Sequence, residues 1–419
     1  MRVSGFGALT AIALLSPPAA TASSGSSYTI EDLRALARSA HPTLAAVEAA
    51  IEEAEGLLRQ ARAYPNPDLA LSGGRGEPRD GGASRSESSL ELAQPIEMPG
   101  VRKWRARVAE LGLDGAEIER AVAASAIDAS VSRLAYTVLA ETRRVEIAQE
   151  SSRIAGRFHE LLARRVELGE SSPFEAVKAH AEWFARRRGL LEATGALDAA
   201  RSALNLLCGD RLGGGYEVVD APEPSLPPDL PADLVGRMRA GNPVLARAEI
   251  ALRKAEAGVE SERRGTLPQI DLVAGHDTEL DRTATSVRVG LKIPLWNRNR
   301  GAVEAATAHR RRAAHEMDAL LVDLETELSL AATEYRRARA AIALHAEGWN
   351  AAAEEALRIA TFRFENGEAG LLEVLDAQRS NVEVRLAETD ARAALRLARA
   401  EIERLIGGPI GRESDHEAR

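Results

Sequence analysis

From Ser286 to Leu295 the chain alternates without interruption: Val287, Val289, Leu291, Ile293 and Leu295 share one face, Ser286, Arg288, Gly290 and Lys292 the other. That period of two predicts a strand. Upstream, Ile270, Leu272 and Ala274 oppose Gln269, Asp271 and Val273, and Leu90 and Leu92 flank Glu91. The polar stretches Gly73 to Gly82 and Asp277 to Thr283 predict the turns of two hairpins. Strands of roughly 8 to 11 residues are long enough to cross a bilayer when tilted. An ordinary sheet with one wet face has the same alternation, so the neighbourhood has to decide.

Around the hairpins the pattern turns helical. A first helix is predicted from about Ile30 to Ala63, ending at Tyr64-Pro65-Asn66-Pro67, and a counterpart from about Ala232 to Arg264, ending before Pro268. Arg102 to Leu168 and Arg298 to Glu365 lack proline and contain few glycines. Each could form a helix roughly 100 Å long at about 1.5 Å per residue, far longer than a compact domain needs. Small residues dominate them, as in Ala121-Val122-Ala123-Ala124 and Ala351-Ala352-Ala353, so their stability has to come from close packing on one another. In the last helix Leu371, Val382 and Ala393, and again Leu375, Leu386 and Leu397, recur every eleven residues, a spacing that favours straight or gently right-handed packing.

The order repeats. His41-Pro42-Thr43-Leu44 returns as Asn242-Pro243-Val244-Leu245, Pro67 as Pro268, Gln94-Pro95-Ile96 as Ile293-Pro294-Leu295, and Leu207-Cys208-Gly209 as Leu405-Ile406-Gly407. Leu168-Gly169-Glu170 through Val177 likewise matches Asn366-Gly367-Glu368 through Leu375. Landmarks in constant order at nearly constant offset indicate a duplication. The predicted division is a first repeat over 23–220 and a second over 221–419, joined by a stiff linker between Pro222 and Pro231.

Composition narrows the function classes. Lys and Arg total 54 against 63 Asp and Glu, a formal charge of -9 with no concentrated basic patch, which argues against nucleic acid as a partner. Cys208 is the single cysteine, so a disulfide framework and a thiolate zinc site are excluded. Met1-Arg2, the apolar stretch Phe6 to Leu15 and Ala20-Thr21-Ala22 have the form of a signal peptide over 1–22, with Ser23 as the mature start. Beyond it no apolar run is long enough for a membrane helix, so a membrane span would have to consist of strands. Four strands cannot close a barrel alone, and open edges in lipid cost several kcal/mol for each unpaired backbone group; a dimer or a trimer could supply the rest.

Along nearly its whole mature length the chain resembles the TolC-like outer-membrane factor family. The resemblance is carried by the duplicated plan and by the turns Gln94-Pro95-Ile96-Glu97-Met98-Pro99-Gly100-Val101-Arg102-Lys103 and Ile293-Pro294-Leu295-Trp296-Asn297-Arg298-Asn299-Arg300-Gly301. The second turn is similar to the CzcC-type branch serving heavy-metal efflux. The resemblance implies a mainly α fold class, an internally duplicated long-helix α-barrel with four strands per protomer in a shared trimeric β-barrel. It also implies a homotrimer in the outer membrane whose helices extend into the periplasm, in contact with outer-membrane lipid, a resistance-nodulation-division inner-membrane pump and a periplasmic adaptor protein. Such a duct is not an enzyme and needs no cofactor. Glu91, Asp271, Arg288 and Lys292 are then the candidates for strand positions facing the lumen.

By the same resemblance, the turn Gly367-Glu368-Ala369-Gly370 lies at the periplasmic tip and the acids after it line the constriction. Glu373 and Asp376, three apart on one helical face, are the gate candidates; Glu175 and Lys178 are their counterparts in the first repeat. Acidic rings would attract cations, while ordinary helix-end electrostatics fits the same two acids. No catalytic constellation is present: His41, His159, His180, His276, His309, His315 and His345 are scattered, His309 and His315 lack the spacing of a helical metal pair, and Gly213-Gly214-Gly215 lacks the Lys-Ser/Thr of a phosphate loop. Trp104 and Trp296 follow strand ends, where an indole could anchor at a membrane interface or equally well pack in a core or on a helix. The reading is an efflux channel for metal cations such as cobalt, zinc, cadmium or copper. The alternatives are a channel for organic compounds or drugs and a soluble periplasmic helical scaffold.

Overall fold

Prolines and glycines set most element boundaries. The computed structural model describes residues 26–77, 81, 83–220, 226–279 and 282–410. The first repeat runs β1 (Ser27–Thr29), α1 (Ile30–Ala40), α2 (Pro42–Arg62), β2 (Asp68–Gly76), β3 (Arg85–Ile96), α3 (Val101–Glu167) and α4 (Pro173–Leu207). After β4 (Glu217–Val219) come α5 (Leu234–Gly241), α6 (Pro243–Arg264), β5 (Gln269–Thr278) and β6 (Thr283–Lys292). The chain then forms α7 (Arg300–Leu344), a π-helical turn (His345–Trp349), α8 (Asn350–Glu365) and α9 (Leu371–Ile406). The signal-peptide expectation over 1–22 and most of the Pro-rich linker's first half lie outside the described residues.

Three expected single helices are broken. The segment from Ile30 divides at His41, whose extended backbone (φ -77°, ψ 123°) lets Pro42 open α2, the one helical position where proline loses nothing. Asn242 does the same before Pro243, its side-chain oxygen accepting the amides of Val244 and Leu245 at 2.9 and 3.0 Å. The helix predicted from Arg298 to Glu365 is interrupted at Gly348, whose φ of 109° is open to glycine alone at low cost. The interruption is held by a partly buried polar chain. His345 Nδ1 lies 2.8 Å from Asn350 Oδ1, and Asn350 Nδ2 donates to Glu388 of α9 at 2.5 Å. By contrast α3 continues unbroken for 67 residues.

The helices pack lengthwise, α3 against α4, α6, α2 and α9, and α9 also against α7 and α8. Each repeat has its own core. The first centres on Leu33, Val131, Leu204 and Cys208, the second on Met238, Ile342, Ile402 and Leu405. The landmarks shared by the repeats touch within each one. Gly407 (φ +72°) ends α9 against the backbone of Gly241, and Gly209 (φ +73°) follows α4 against Ala40. Asn242 Nδ2 donates to Leu405 O at 2.9 Å, tying the α5–α6 bend to the end of α9. The eleven-residue spacing expected in α9 does not describe its seam. Val382, Leu386, Ala393 and Leu397 are half-buried, whereas the buried Val384, Ala391, Ala398 and Leu405 recur every seven residues. The seam also holds large side chains such as Leu395 and Ile402, and of the expected stripes only Leu371 and Leu375 are buried.

The fold class also needs correction. The chain is mainly α-helical with strands, but its helices form a bundle and its sheet is open, in the order β2-β3-β5-β6. The two hairpins join through antiparallel pairing of β3 with β5, which leaves β2 and β6 at opposite edges. The expected long-helix α-barrel and shared trimeric β-barrel are therefore not features of this fold. The strands are also shifted from expectation: β2 extends through Gly73 to Gly76, and β6 ends at Lys292 before Ile293 to Leu295. A separate parallel pair, β1 with β4, was not foreseen.

Candidate functional site

Register determines what each sheet face carries. Leu90 pairs with His276, Leu92 with Ala274, Leu272 with Val289 and Ile270 with Leu291. Directly paired residues share a face, so Leu69, Leu71, Leu90, Leu92, Leu272, Val287, Val289 and Leu291 form one apolar surface. It is bare: Leu71 is 75% and Val289 71% exposed. Contiguous apolar surface of this kind marks a membrane or partner contact. Among the described residues no helix is long and apolar enough to cross a membrane.

The opposite face brings the four sequence-predicted strand residues together as two ion pairs. Arg288 donates to Glu91 across the sheet, and Lys292 Nζ lies 3.4 Å from Asp271 Oδ2. Both pairs are solvent-accessible on at least one side, so they add little stability; their effect is to leave this face polar yet locally neutral.

At the far end of the helices the turns of the two repeats meet. Phe158 of α3 packs edge-on to Phe364 of α8, ring centroids 5.5 Å apart, within a cluster including Leu162, Ala179, Leu371 and Val374. Arg165 caps the end of α8 by donating to Phe364 O and Glu365 O at 3.3 and 2.8 Å. Glu373 is exposed and accepts from Arg363 Nη1 at 2.5 Å, whereas Asp376, also exposed, has no polar partner among the described residues. Glu175 takes part in a reciprocal cap with Ser172 at the start of α4, and Lys178 is half-buried one turn on. Thus Glu175 does helix-end work, and Glu373 is balanced by an arginine that the sequence reading passed over. Arg363 lies ten residues before Glu373, across a glycine turn, and that proximity was readable.

Other polar links between the repeats were not readable. Buried Gln378 Nε2 donates to Ser151 O at 3.0 Å, and Arg385 Nη1 to Glu150 Oε2 at 2.8 Å. Hydrogen bonding from Arg385 holds the Glu150 carboxyl below its usual range. Burial works to raise Glu388, but hydrogen bonds from Arg392 and Asn350 outweigh it and lower that group too. A carboxyl lowered on folding stabilises the folded state above its unfolded pKa, and this contribution fades as pH falls through the folded value. Thermal unfolding in mild detergent should therefore occur at lower temperature at about pH 3 than at neutral pH, and Glu150→Gln should shrink that difference. An unchanged difference would dismiss the Arg385 link as a stabilising contact. Among the described residues no group of three or more His, Cys, Asp or Glu could hold a metal. His159 instead stacks on His180 and Trp183, ring centroids 4.6 and 5.2 Å away.

Long helices ending in a sheet with one bare apolar face and one polar face define a helical protein with an exposed contact surface at its stranded end. The chain belongs to the outer membrane efflux protein family, whose profile matches residues 33–210 and 234–408. It is 30% identical over 381 residues to the cobalt-zinc-cadmium resistance protein CzcC of Cupriavidus metallidurans, covering 90% of each chain. It is 26% identical over 286 residues to the nickel-cobalt-cadmium resistance protein NccC of Alcaligenes xylosoxydans xylosoxydans, covering 67% of this chain and 64% of that one. Among solved structures, CusC superposes with a TM-score of 0.77 at 20% identity, covering 90% of this chain and 92% of that one. The open-state MtrE outer membrane channel of Neisseria gonorrhoeae gives 0.73 at 19%, over 92% and 90%. The protein is an outer-membrane efflux channel of the TolC type, with long periplasmic helices, and it acts as a conduit rather than an enzyme.

Proposed function

We propose that this channel is the exit duct of a tripartite pump expelling heavy-metal cations such as cobalt, zinc, cadmium or copper. The observation that carries the cargo class is the 30% identity to a cobalt-zinc-cadmium resistance protein over 90% of both chains. In this reading the chain works as a homotrimer, with a periplasmic adaptor and an inner-membrane resistance-nodulation-division pump supplying the energy. The bare apolar face meets outer-membrane lipid, and Glu91, Asp271, Arg288 and Lys292 face the wet passage. The division into repeats over 23–220 and 221–419 gives each protomer two similar helix-hairpin-helix units.

Deleting the gene tests the cargo. Tolerance of cobalt, zinc and cadmium should fall several-fold and return with the intact gene, while drug tolerance stays constant. Loss of drug tolerance alone would overturn the metal reading in favour of organic cargo.

Glu373 and Asp376 form the gate in this proposal. Glu373 is bridled by Arg363, while Asp376 offers a free carboxylate to passing cations. Glu175 and Lys178 contribute a locally balanced pair at the neighbouring helix end. Replacing both acids, Glu373→Ala with Asp376→Ala, should change single-channel conductance or reduce cation preference in planar bilayers. Unchanged conductance and selectivity would remove the assignment.

A further inference from the structure

We infer that the junction between β6 and α7 carries a binding site for the phosphate of an anionic phospholipid headgroup. The inference rests on the reading that the apolar sheet face meets lipid. Below that face, Ile293 and Leu295 remain exposed and Trp296 is 94% exposed. An indole so completely bare on a folded chain is costly in water and favourable at the boundary between acyl chains and headgroups. Two residues along the chain on either side of it, Pro294 and Arg298 line an open cavity of about 540 Å³ together with Arg263, Thr266, Arg300, Val303 and one acid, Glu304.

The turn holding these arginines is built. Asn299 adopts a left-handed backbone (φ 54°), its amide donating to Asn297 Oδ1 at 3.1 Å. Its side-chain amide donates to Glu262 O and Oε2 at 3.1 and 2.9 Å, fastening the turn to the end of α6. Arg298 and Arg300 are thereby fixed on either side of Asn299 and beside Arg263. Arg263 is engaged by Glu260 at 2.7 Å, and Arg298 uses only its Nε, toward Leu295 O at 3.3 Å. Among the described residues Arg300 makes no contact of this kind, so two guanidinium groups retain donors for an outside acceptor. Guanidinium forks match phosphate oxygens in geometry as well as charge.

The corresponding junction of the first repeat has the same chemistry in different residues. Arg102 lies over the Tyr64 ring at 3.7 Å, and Lys103 and Arg107 line a cavity together with Trp104 and Glu110, which pairs with Arg107 at 3.3 Å. Aromatic and basic side chains thus recur together where each hairpin joins its long helix. A free anion would not need the indole, and a neutral lipid would not need the arginines. The combination selects a lipid bearing net negative charge, such as phosphatidylglycerol.

The test uses the full-length channel in mild detergent, titrated with phosphatidylglycerol, phosphatidylcholine or inorganic phosphate and read by native mass spectrometry. Phosphatidylglycerol should bind several-fold more tightly than phosphatidylcholine. Arg298→Gln with Arg300→Gln should cut that preference by about tenfold, and Trp296→Leu should weaken both lipids alike. Because these positions are exposed, unchanged circular dichroism should accompany the loss; if the double variant misfolds, Arg300→Gln alone serves as the readout. Equal binding of the two lipids, or a preference surviving the substitutions, would overturn the inference, and so would displacement of phosphatidylglycerol by equimolar inorganic phosphate. Recovery in outer-membrane fractions separates the two levels: a protein found there without lipid preference loses only this site, whereas a protein absent from them loses the channel reading as well.

Discussion

Val289→Arg is expected to abolish recovery of the protein from outer membranes. Val289 lies within β6, 71% exposed and surrounded on its face by Val287, Leu291 and Leu272. If that face contacts water, an arginine there would be neutral or mildly favourable, as for most surface substitutions. If it contacts hydrocarbon, the charge costs about 2–4 kcal/mol near mid-depth in every copy. Arg288→Gln, the neighbour on the polar face, should leave recovery intact, since its bond to Glu91 is an exposed ion pair of little net value. Fractionation of both variants, with heat-modifiable migration on gels as the folding readout, makes the comparison. Normal recovery of Val289→Arg would remove the lipid assignment of the whole face.

The second large effect is expected far from lipid. Gly407→Val should destabilise the protein by about 3 kcal/mol or more, combining the cost of a β-branched residue at positive φ with overpacking. A Cβ at this position would fall 2.0 Å from Gly241 O, and one on Gly241 would fall 2.3 Å from Ile406 O. Neither backbone can yield without opening the bend that Asn242 closes. At the matching junction a Cβ on Gly209 would meet the Ala40 side chain at 2.7 Å, again with φ at +73°. Gly209→Ala combined with Ala40→Gly should therefore be milder, because removing that methyl makes room. Denaturant unfolding in detergent measures both, and an unshifted midpoint for Gly407→Val would contradict the packing described.

These contacts explain why some parts of the fold were legible in the sequence. His41-Pro42 and Asn242-Pro243 form helix bends, Gly209 and Gly407 follow helix ends, and bend and end meet within each repeat. The constraint falls on few side chains, so it leaves a visible residue pattern. Strand alternation was legible for the same reason, since the two faces meet different surroundings. The pairing of Glu91 with Arg288 was not, because it depends on register between hairpins nearly two hundred positions apart. The seven-residue seam of α9 was hidden because large apolar residues also lie off it, as the half-buried Val382, Leu386 and Leu397 do. Gly348 gave a signal too weak to separate a tolerated helical glycine from a π-helical turn. The openness of the sheet could not be read either; four strands were legible, but which of them would pair and which would stay at the edges was not. At the candidate gate the acids were legible, whereas their balance by Arg363 depended on how the glycine turn folds back.

The bare sheet face also orders the steps by which the protein matures. Its helical cores bury their apolar side chains against one another and can consolidate in water. The hairpins cannot, because their leucines and valines find no shelter within the chain and would clump with other copies while waiting. On the proposed lipid contact, the stranded end is therefore the last part of the molecule to consolidate, since its apolar face is covered only once membrane surrounds it.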